Sequence, residues 1–233
     1  MSTDERIDAD LVLFDLDDTL CDSHTAHMLR LRHAFGLAAD HAGLVEVPDF
    51  DAMIRDARAL ASPGVDQFPV VFERYGIAGD EAVEIARSWI HANRLHGLVY
   101  FDDAIETLDR VRAARPDRRI GVITNGPDWI QRPKVEMLGI ADHVDFVIIS
   151  GEFGAHKPDP SIFHEALRLG EADAAQAVFI GDSIENDIGG AHGVGIRSIW
   201  MNRFALSWPD DATPPHHIAT SLADVRRLLA ADE

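Results

Sequence analysis

With 233 residues, 46% of them hydrophobic, the chain can bury a sizeable core and suits one large domain or one domain carrying a smaller insertion. A formal net charge of −19, from 40 acidic against 21 basic residues, speaks against a nucleic-acid or anionic-membrane surface, since such partners are held by clustered Lys and Arg. The single cysteine, Cys21, rules out an intrachain disulfide and points to a reducing compartment.

The N-terminal MSTDERIDAD lacks the apolar stretch of a secretory signal, and nowhere do about eighteen apolar residues run together, so a cytoplasmic protein without a membrane span is expected. Residues 11–20 read LVLFDLDDTL, an apolar run that predicts a buried strand and ends in Asp15, Asp17 and Asp18. From Asp22 to about Tyr100 the pattern is mostly helical, with breaks at Pro48, Ser62-Pro63-Gly64 and Gly76. That stretch is too long for a simple crossover, which needs about a dozen residues or more, so residues 22–101 are expected to form an inserted helical domain.

Beyond it the rhythm changes. Ile105, Leu108 and Val111 recur as the apolar face of a helix over Asp103 to Arg115. Strands are predicted at Arg119 to Asn125, Val144 to Ser150, Ala177 to Asp182 and Ser198 to Met201. The stretch around Pro214-Pro215-His216-His217 reads as a connector before a last helix, Leu222 to Ala230. Strands alternating with helices imply an α/β fold, a parallel sheet covered on both faces, built from residues 1–21 and 102–233.

Ligands of open parallel sheets bind at the carboxyl ends of the strands, and here those ends carry the polar residues. The first ends in Asp15, the second in Thr124-Asn125-Gly126 and the fourth in Asp182-Ser183, while Lys157-Pro158 lies in the loop after the third. An aspartate is ionised at neutral pH and can attack without a base, but an anionic phosphoryl group repels it unless a divalent cation intervenes. Hard oxygen ligands suit Mg²⁺. Asp15 is thus a candidate nucleophile, Asp182 and Asp187 candidate metal ligands, and Lys157, Thr124 and Asn125 a candidate clamp on phosphoryl oxygens. Asp17, near the leaving oxygen, would act as general acid and base if neighbouring carboxylates and partial burial raise its pKa. Asp18 reads as a turn residue. Only Lys134 and Lys157 of the basic residues are lysine, so a compact ammonium stands at 157 where the chain otherwise uses arginine; Lys134 reads as incidental.

In this order, DLDDT, TNG, a lysine followed by proline, and GDSIEND resemble the four motifs of the haloacid dehalogenase superfamily. The resemblance implies a Rossmann-like core with a helical cap inserted after the first motif, and a Mg²⁺-dependent phosphomonoesterase working through an aspartyl-phosphate. VITNGPDWIQRPKVEMLGI and GDSIENDIGGAHGVGIRSIWMNR are similar to the branch that holds pyrimidine 5′-nucleotidases and N-acylneuraminate 9-phosphatase. By resemblance Asp15 is the nucleophile, and Asp17 the acid/base whose backbone carbonyl also touches Mg²⁺. Thr124, Asn125 and Gly126 form the phosphate-binding turn, Lys157 stabilises nucleophile and phosphoryl group, and Asp182 binds metal. Asp187 matches the family's second acidic position, as direct ligand, water-mediated ligand or orienter of Lys157. Asp17 separates the chain from the dehalogenases themselves, which lack an aspartate there.

Substrate choice is expected from the cap. Ser23, His24 and His27 are candidates near the nucleophile, and Arg55, Arg58, Phe68, Phe72 and Arg74 suggest a polar and aromatic pocket, though helix packing explains the phenylalanines equally well. Trp129 could stack on a ring such as a base. The twelve histidines show no zinc-ligand spacing. A monomer or homodimer acting on a nucleoside monophosphate or sugar phosphate is the leading reading. A phosphomutase, or a non-hydrolytic phosphoacceptor whose modified Asp15 is read by a partner, are the alternatives.

Overall fold

The first strand is apolar on both faces because both faces are covered. In the computed structural model, which describes residues 6–46, 49–60 and 66–229, β1 (Leu11–Phe14) has all four residues buried. The breaks expected at Pro48 and at Ser62-Pro63-Gly64, and Ala230 at the end of the last helix, lie outside the described residues. The chain divides into two compact units, one running up to Asp22 and resuming at Val99, the other Ser23–Leu98.

The first unit continues from β1 through α5 (Ala104–Ala114), β2 (Arg119–Thr124), α6 (Asp128–Leu138), β3 (Phe146–Ile149), the single turn α7 (Ser150–Phe153) and α8 (Pro160–Leu169). It then adds β4 (Ala177–Gly181), a π-helical turn over Ile184–Gly189, the short α9 (Gly190–Gly193), β5 (Arg197–Met201), β6 (His217–Ala219) and α10 (Leu222–Leu229). The six strands are parallel and ordered β3-β2-β1-β4-β5-β6. In register, Phe14 stands between Val122 of β2 and Ile180 of β4, so β1 delivers its end to the middle of the sheet. One face of β1, Leu11 and Leu13, joins Ile162, Phe163 and Phe179 in a buried cluster.

β6 departs from the sequence reading, which placed a connector over His217. The strand is three residues long, and Met201 of β5 pairs with its Ala219.

The second unit holds α1 (Ser23–His41), α2 (Phe50–Leu60), α3 (Phe68–Arg74) and α4 (Asp80–Ala92). Gly76, at φ 74°, follows α3, as its turn requires a left-handed residue. Phe68 and Phe72 belong to this unit's core, each edge-on to Phe35 with ring centroids 5.6 and 5.3 Å apart. Packing, not a ligand pocket, therefore accounts for them. No helix among the described residues is long and apolar enough to cross a membrane.

One buried arginine ties the first unit's ends together. Arg118 is 3% exposed, and its guanidinium donates to the carbonyls of Ala9 (2.9 Å), Val111 (3.0 Å) and Leu229 (2.9 Å). These sit before β1, in α5 and at the end of α10. Replacing it with methionine removes the donor from three carbonyls at once. Arg118→Met is expected to lower the unfolding free energy by about 3 kcal/mol, read as a fall in the urea midpoint.

Candidate active site

β1 passes its hydrogen-bond ladder one residue further, the Asp15 N–H donating to Ile180 O at 2.8 Å, so the Asp15 carboxylate is fixed by the sheet. The chain then closes a tight loop. Leu20 and Cys21 donate to Leu16 O, and the Asp18 N–H donates to Cys21 O at 2.8 Å. Asp18 holds φ 58°, a left-handed conformation that aspartate tolerates better than most residues, which confirms its reading as a turn residue.

Asp15 is buried, and so is the lysine that meets it. Lys157 Nζ donates to Asp15 Oδ1 (2.5 Å), Asp187 Oδ1 (2.6 Å) and Ile123 O (2.9 Å), which uses all three of its protons. Its position is set from the β2 turn: Asn125 Oδ1 accepts from the Lys157 N–H at 2.9 Å and Asn125 Nδ2 donates to Lys157 O at 2.8 Å. Asn125 was expected to face phosphoryl oxygens; its side-chain amide is spent instead on holding the lysine loop. The Gly126 N–H likewise donates to Ser150 Oγ at 2.9 Å. Of the expected turn, Thr124 is fully buried at the end of β2.

Asp187 is 1% exposed, and its other oxygen, Oδ2, accepts from the Ser183 N–H at 2.9 Å. The carboxylate lies so close to β4 that a Cβ on Gly181 would collide with it, which is why the strand ends in glycine. The turn that follows is N-capped by Ser183, whose Oγ accepts from the Asn186 N–H. Ligand oxygens of Asp15, Asp182 and Asp187 lie within 4.8 Å of one another.

The electrostatics follow from this crowding. Burial pushes the Asp15 carboxyl well above its usual range, Lys157 opposes the shift, and Asp187, Asp182 and Asp17 add to it. Burial, then Asp187 and Asp18, push Asp182 up to about 7, again against Lys157. Burial disfavours charge on Lys157, but Asp15 and Asp187 outweigh it and hold the ammonium above its ordinary range. Three carboxylates stand against one ammonium, a set of hard oxygen donors whose ionised form carries excess negative charge. Both the charge and the donor type fit Mg²⁺.

Two side chains of α6 hold Asp17. Lys134 Nζ donates to Asp17 Oδ1 at 2.6 Å, and Gln131 Nε2 donates to Asp17 Oδ2 at 2.9 Å. Gln131 Nε2 also donates to Thr124 Oγ1 and, at 3.2 Å, to Asn125 O. Lys134 is therefore not incidental, and Asp17 has an ammonium beside it where only neighbouring carboxylates were expected. The signal was present in the sequence: both lysines of the chain serve this cluster, and Gln131 and Lys134 stand three apart, on one face of α6.

The specificity candidates are more scattered. Trp129 is the second residue of α6 and 49% exposed. His24 is the second residue of α1, in the helical unit. In that unit a cavity of about 600 Å³ is lined in part by Arg32, Asp51, Arg55 and Arg58, while Arg74 is paired with Asp56 at 2.7 Å.

Comparison with known proteins agrees with the geometry. The family model of haloacid dehalogenase-like hydrolases matches residues 9–195. A glyceraldehyde 3-phosphate phosphatase of Methanopyrus kandleri is 31% identical over 95% of this chain and 98% of its own. The pyrimidine 5′-nucleotidase YjjG of Escherichia coli is 33% identical over 51% of this chain, which spans about half (53%) of that relative's length. Among solved structures, the magnesium-bound HAD-hydrolase YfnB of Bacillus subtilis superposes with a TM-score of 0.77 at 21% identity, covering 96% of this chain and 99% of that one, and so shares the fold. With its strand-end aspartates, its Lys157 bridge and a match over most of its length, the chain belongs to the haloacid dehalogenase-like hydrolase family.

Proposed function

We propose that the protein is a Mg²⁺-dependent phosphomonoesterase that hydrolyses a small phosphorylated metabolite through an aspartyl-phosphate on Asp15. The observation that carries this is the buried Asp15, locked through one oxygen to Lys157 and standing within reach of Asp182 and Asp187. Asp15, Asp182 and the Asp17 backbone carbonyl would hold the metal, with Asp187 close by but already bonded to Lys157 and the Ser183 N–H. Bound there, the cation supplies the positive charge that lets an anionic phosphoryl group approach a carboxylate.

With Oδ1 of Asp15 engaged by Lys157, Oδ2 is the oxygen that attacks phosphorus. The new bond joins Asp15 to phosphorus as the ester bond breaks, and Asp17, which must enter this step protonated despite the Lys134 ammonium beside it, gives that proton to the departing alkoxide. Asp17 then takes a proton from water, whose oxygen displaces Asp15 from phosphorus, releasing phosphate and restoring the carboxylate. Lys157 stays fixed by Asn125 through both steps and stabilises charge on the transferring group.

The substrate belongs with those of the relatives, which are named for a triose phosphate and for pyrimidine nucleotides. A nucleoside monophosphate or sugar phosphate is the class we favour, in the cytoplasm, where one free cysteine is stable.

Asp15→Asn is expected to lower Mg²⁺-dependent release of phosphate from p-nitrophenyl phosphate by about a thousandfold or more. Activity retained in that variant would falsify the mechanism. A panel of phosphorylated metabolites ranked by kcat/KM then identifies the substrate class.

The carboxylate shifts predict a pH signature. Asp182 binds a proton in the folded state up to about pH 7, whereas the unfolded chain releases it near the ordinary carboxyl value of 3.8. Its charge burden is thus absent at low pH and grows through that window, so the metal-free protein loses stability as pH rises. A cation offsets the burden, and the rise in melting temperature on adding Mg²⁺ is expected to be larger at pH 7.5 than at pH 5.5. Equal rises, measured by thermal denaturation, would refute the assignment of Asp182 to the metal.

A further inference from the structure

Asp17 reaches its place without help from the sheet, because β1 has ended three residues earlier and Asp17 lies in the loop that Leu16 and Cys21 close. What fixes its carboxylate comes from α6. Lys134, 8% exposed, meets Oδ1, and Gln131, 1% exposed, meets Oδ2. Cys21 Sγ adds a weak contact to Oδ1 at 3.7 Å. A long cationic side chain buried to this degree is uncommon unless it has a specific partner.

The same glutamine amide donates to Thr124 Oγ1 and Asn125 O, so Asp17 and the turn at the end of β2 are referred to one side chain. Gly126 takes φ 147°, and a Cβ there would lie 2.8 Å from Gln131 Cγ, so the turn leaves room for this glutamine at the expense of any side chain of its own. We infer that Lys134 and Gln131 are positioning residues, a two-point clasp from α6 that sets where the Asp17 carboxylate stands relative to the leaving oxygen. This rests on the phosphomonoesterase reading above and on Asp17 as the proton donor in it.

A misplaced proton donor harms an ester in proportion to how badly its leaving group needs the proton. The p-nitrophenolate ion departs readily without one, while an alkoxide does not. The ratio of kcat/KM for the best alkyl phosphate of the panel to kcat/KM for p-nitrophenyl phosphate therefore reads Asp17 placement, and a general loss of structure lowers both numbers together. Lys134→Ala is expected to reduce this ratio about tenfold, and Asp17→Asn to reduce it further. In the Asp17→Asn background, Lys134→Ala should leave the ratio where Asp17→Asn put it. Lys134→Arg, which retains a cation, should recover part of the loss, and Gln131→Ala gives the second, independent point of the clasp.

If Asp17→Asn lowers the ratio but neither Lys134→Ala nor Gln131→Ala does, the clasp is overturned while the phosphatase reading stands. The clasp is equally overturned if Lys134→Ala lowers the ratio as much without Asp17 as with it. If the wild-type protein releases no phosphate from either ester, or Asp17→Asn leaves the ratio untouched, the reading beneath the clasp fails first and takes the clasp with it.

Discussion

A single buried ammonium makes the rest of the site possible. Lys157 lies between Asp15 and Asp187, and without it two carboxylates would face each other out of water with no cation to balance them. Removing one partner from such an arrangement is strongly destabilising, so the surroundings hold all three in place. The Ile123 carbonyl takes the third proton of Lys157, Asn125 grips its backbone from both sides, and the Ser183 N–H fixes the far oxygen of Asp187. The turn after β2, the loop after β3 and the turn after β4 are thus connected through one side chain. A network with every member bonded behaves as a rigid unit, and rigidity is what a preorganised site requires.

The division of labour between lysine and arginine follows from the same demand. The arginines bridge surface carboxylates, as Arg112 and Arg119 do on Asp145 and Arg168 does on Glu165, or fan out to backbone carbonyls as Arg118 does. Their planar forks suit several acceptors spread in one plane. Where a single point charge must enter a crowded pocket, the chain uses its two lysines, Lys157 against Asp15 and Asp187 and Lys134 against Asp17. Placing a guanidinium at 157 would force apart the Asp15 and Asp187 carboxylates that the site needs close together.

The parts of the molecule that sequence could reveal are those in which one physical requirement acts alone. Strands covered on both faces must be continuous apolar runs, and β1, β2, β4 and β5 are visible for that reason. The chemistry at the strand ends was legible in its residue types, because phosphoryl transfer needs carboxylates and a cation. What stayed hidden depends on long-range partners. β6 has three residues, with Ile218 56% exposed, so no apolar run marks it, and its pairing to β5 alone makes it a strand. Asn125 and Gly126 looked like phosphate ligands from their turn, but their partners are Lys157 and Ser150, 32 and 24 residues further along. Lys134 carries the same compositional signal as Lys157, but it lies inside α6 and not in a loop after a strand, so nothing local marks it as part of the site.

The segment after β4 shows how local geometry is bent to serve the site. An ordinary α-helix begun at Ser183 bonds each carbonyl to the residue four ahead, and here the Ser183 carbonyl accepts from both Asp187 (3.0 Å) and Ile188 (3.1 Å). The widened turn is π-helical, a form that proteins use sparingly and often at functional sites. It brings the Asp187 carboxylate back over Gly181, against the strand it has just left, while the Trp200 indole N–H donates to the Asp182 carbonyl at 2.9 Å and holds the turn's entry in place. Two acidic side chains five residues apart therefore converge on one end of β4 from different directions. Gly181 is part of this arrangement, because any side chain there would occupy the space into which the turn delivers Asp187.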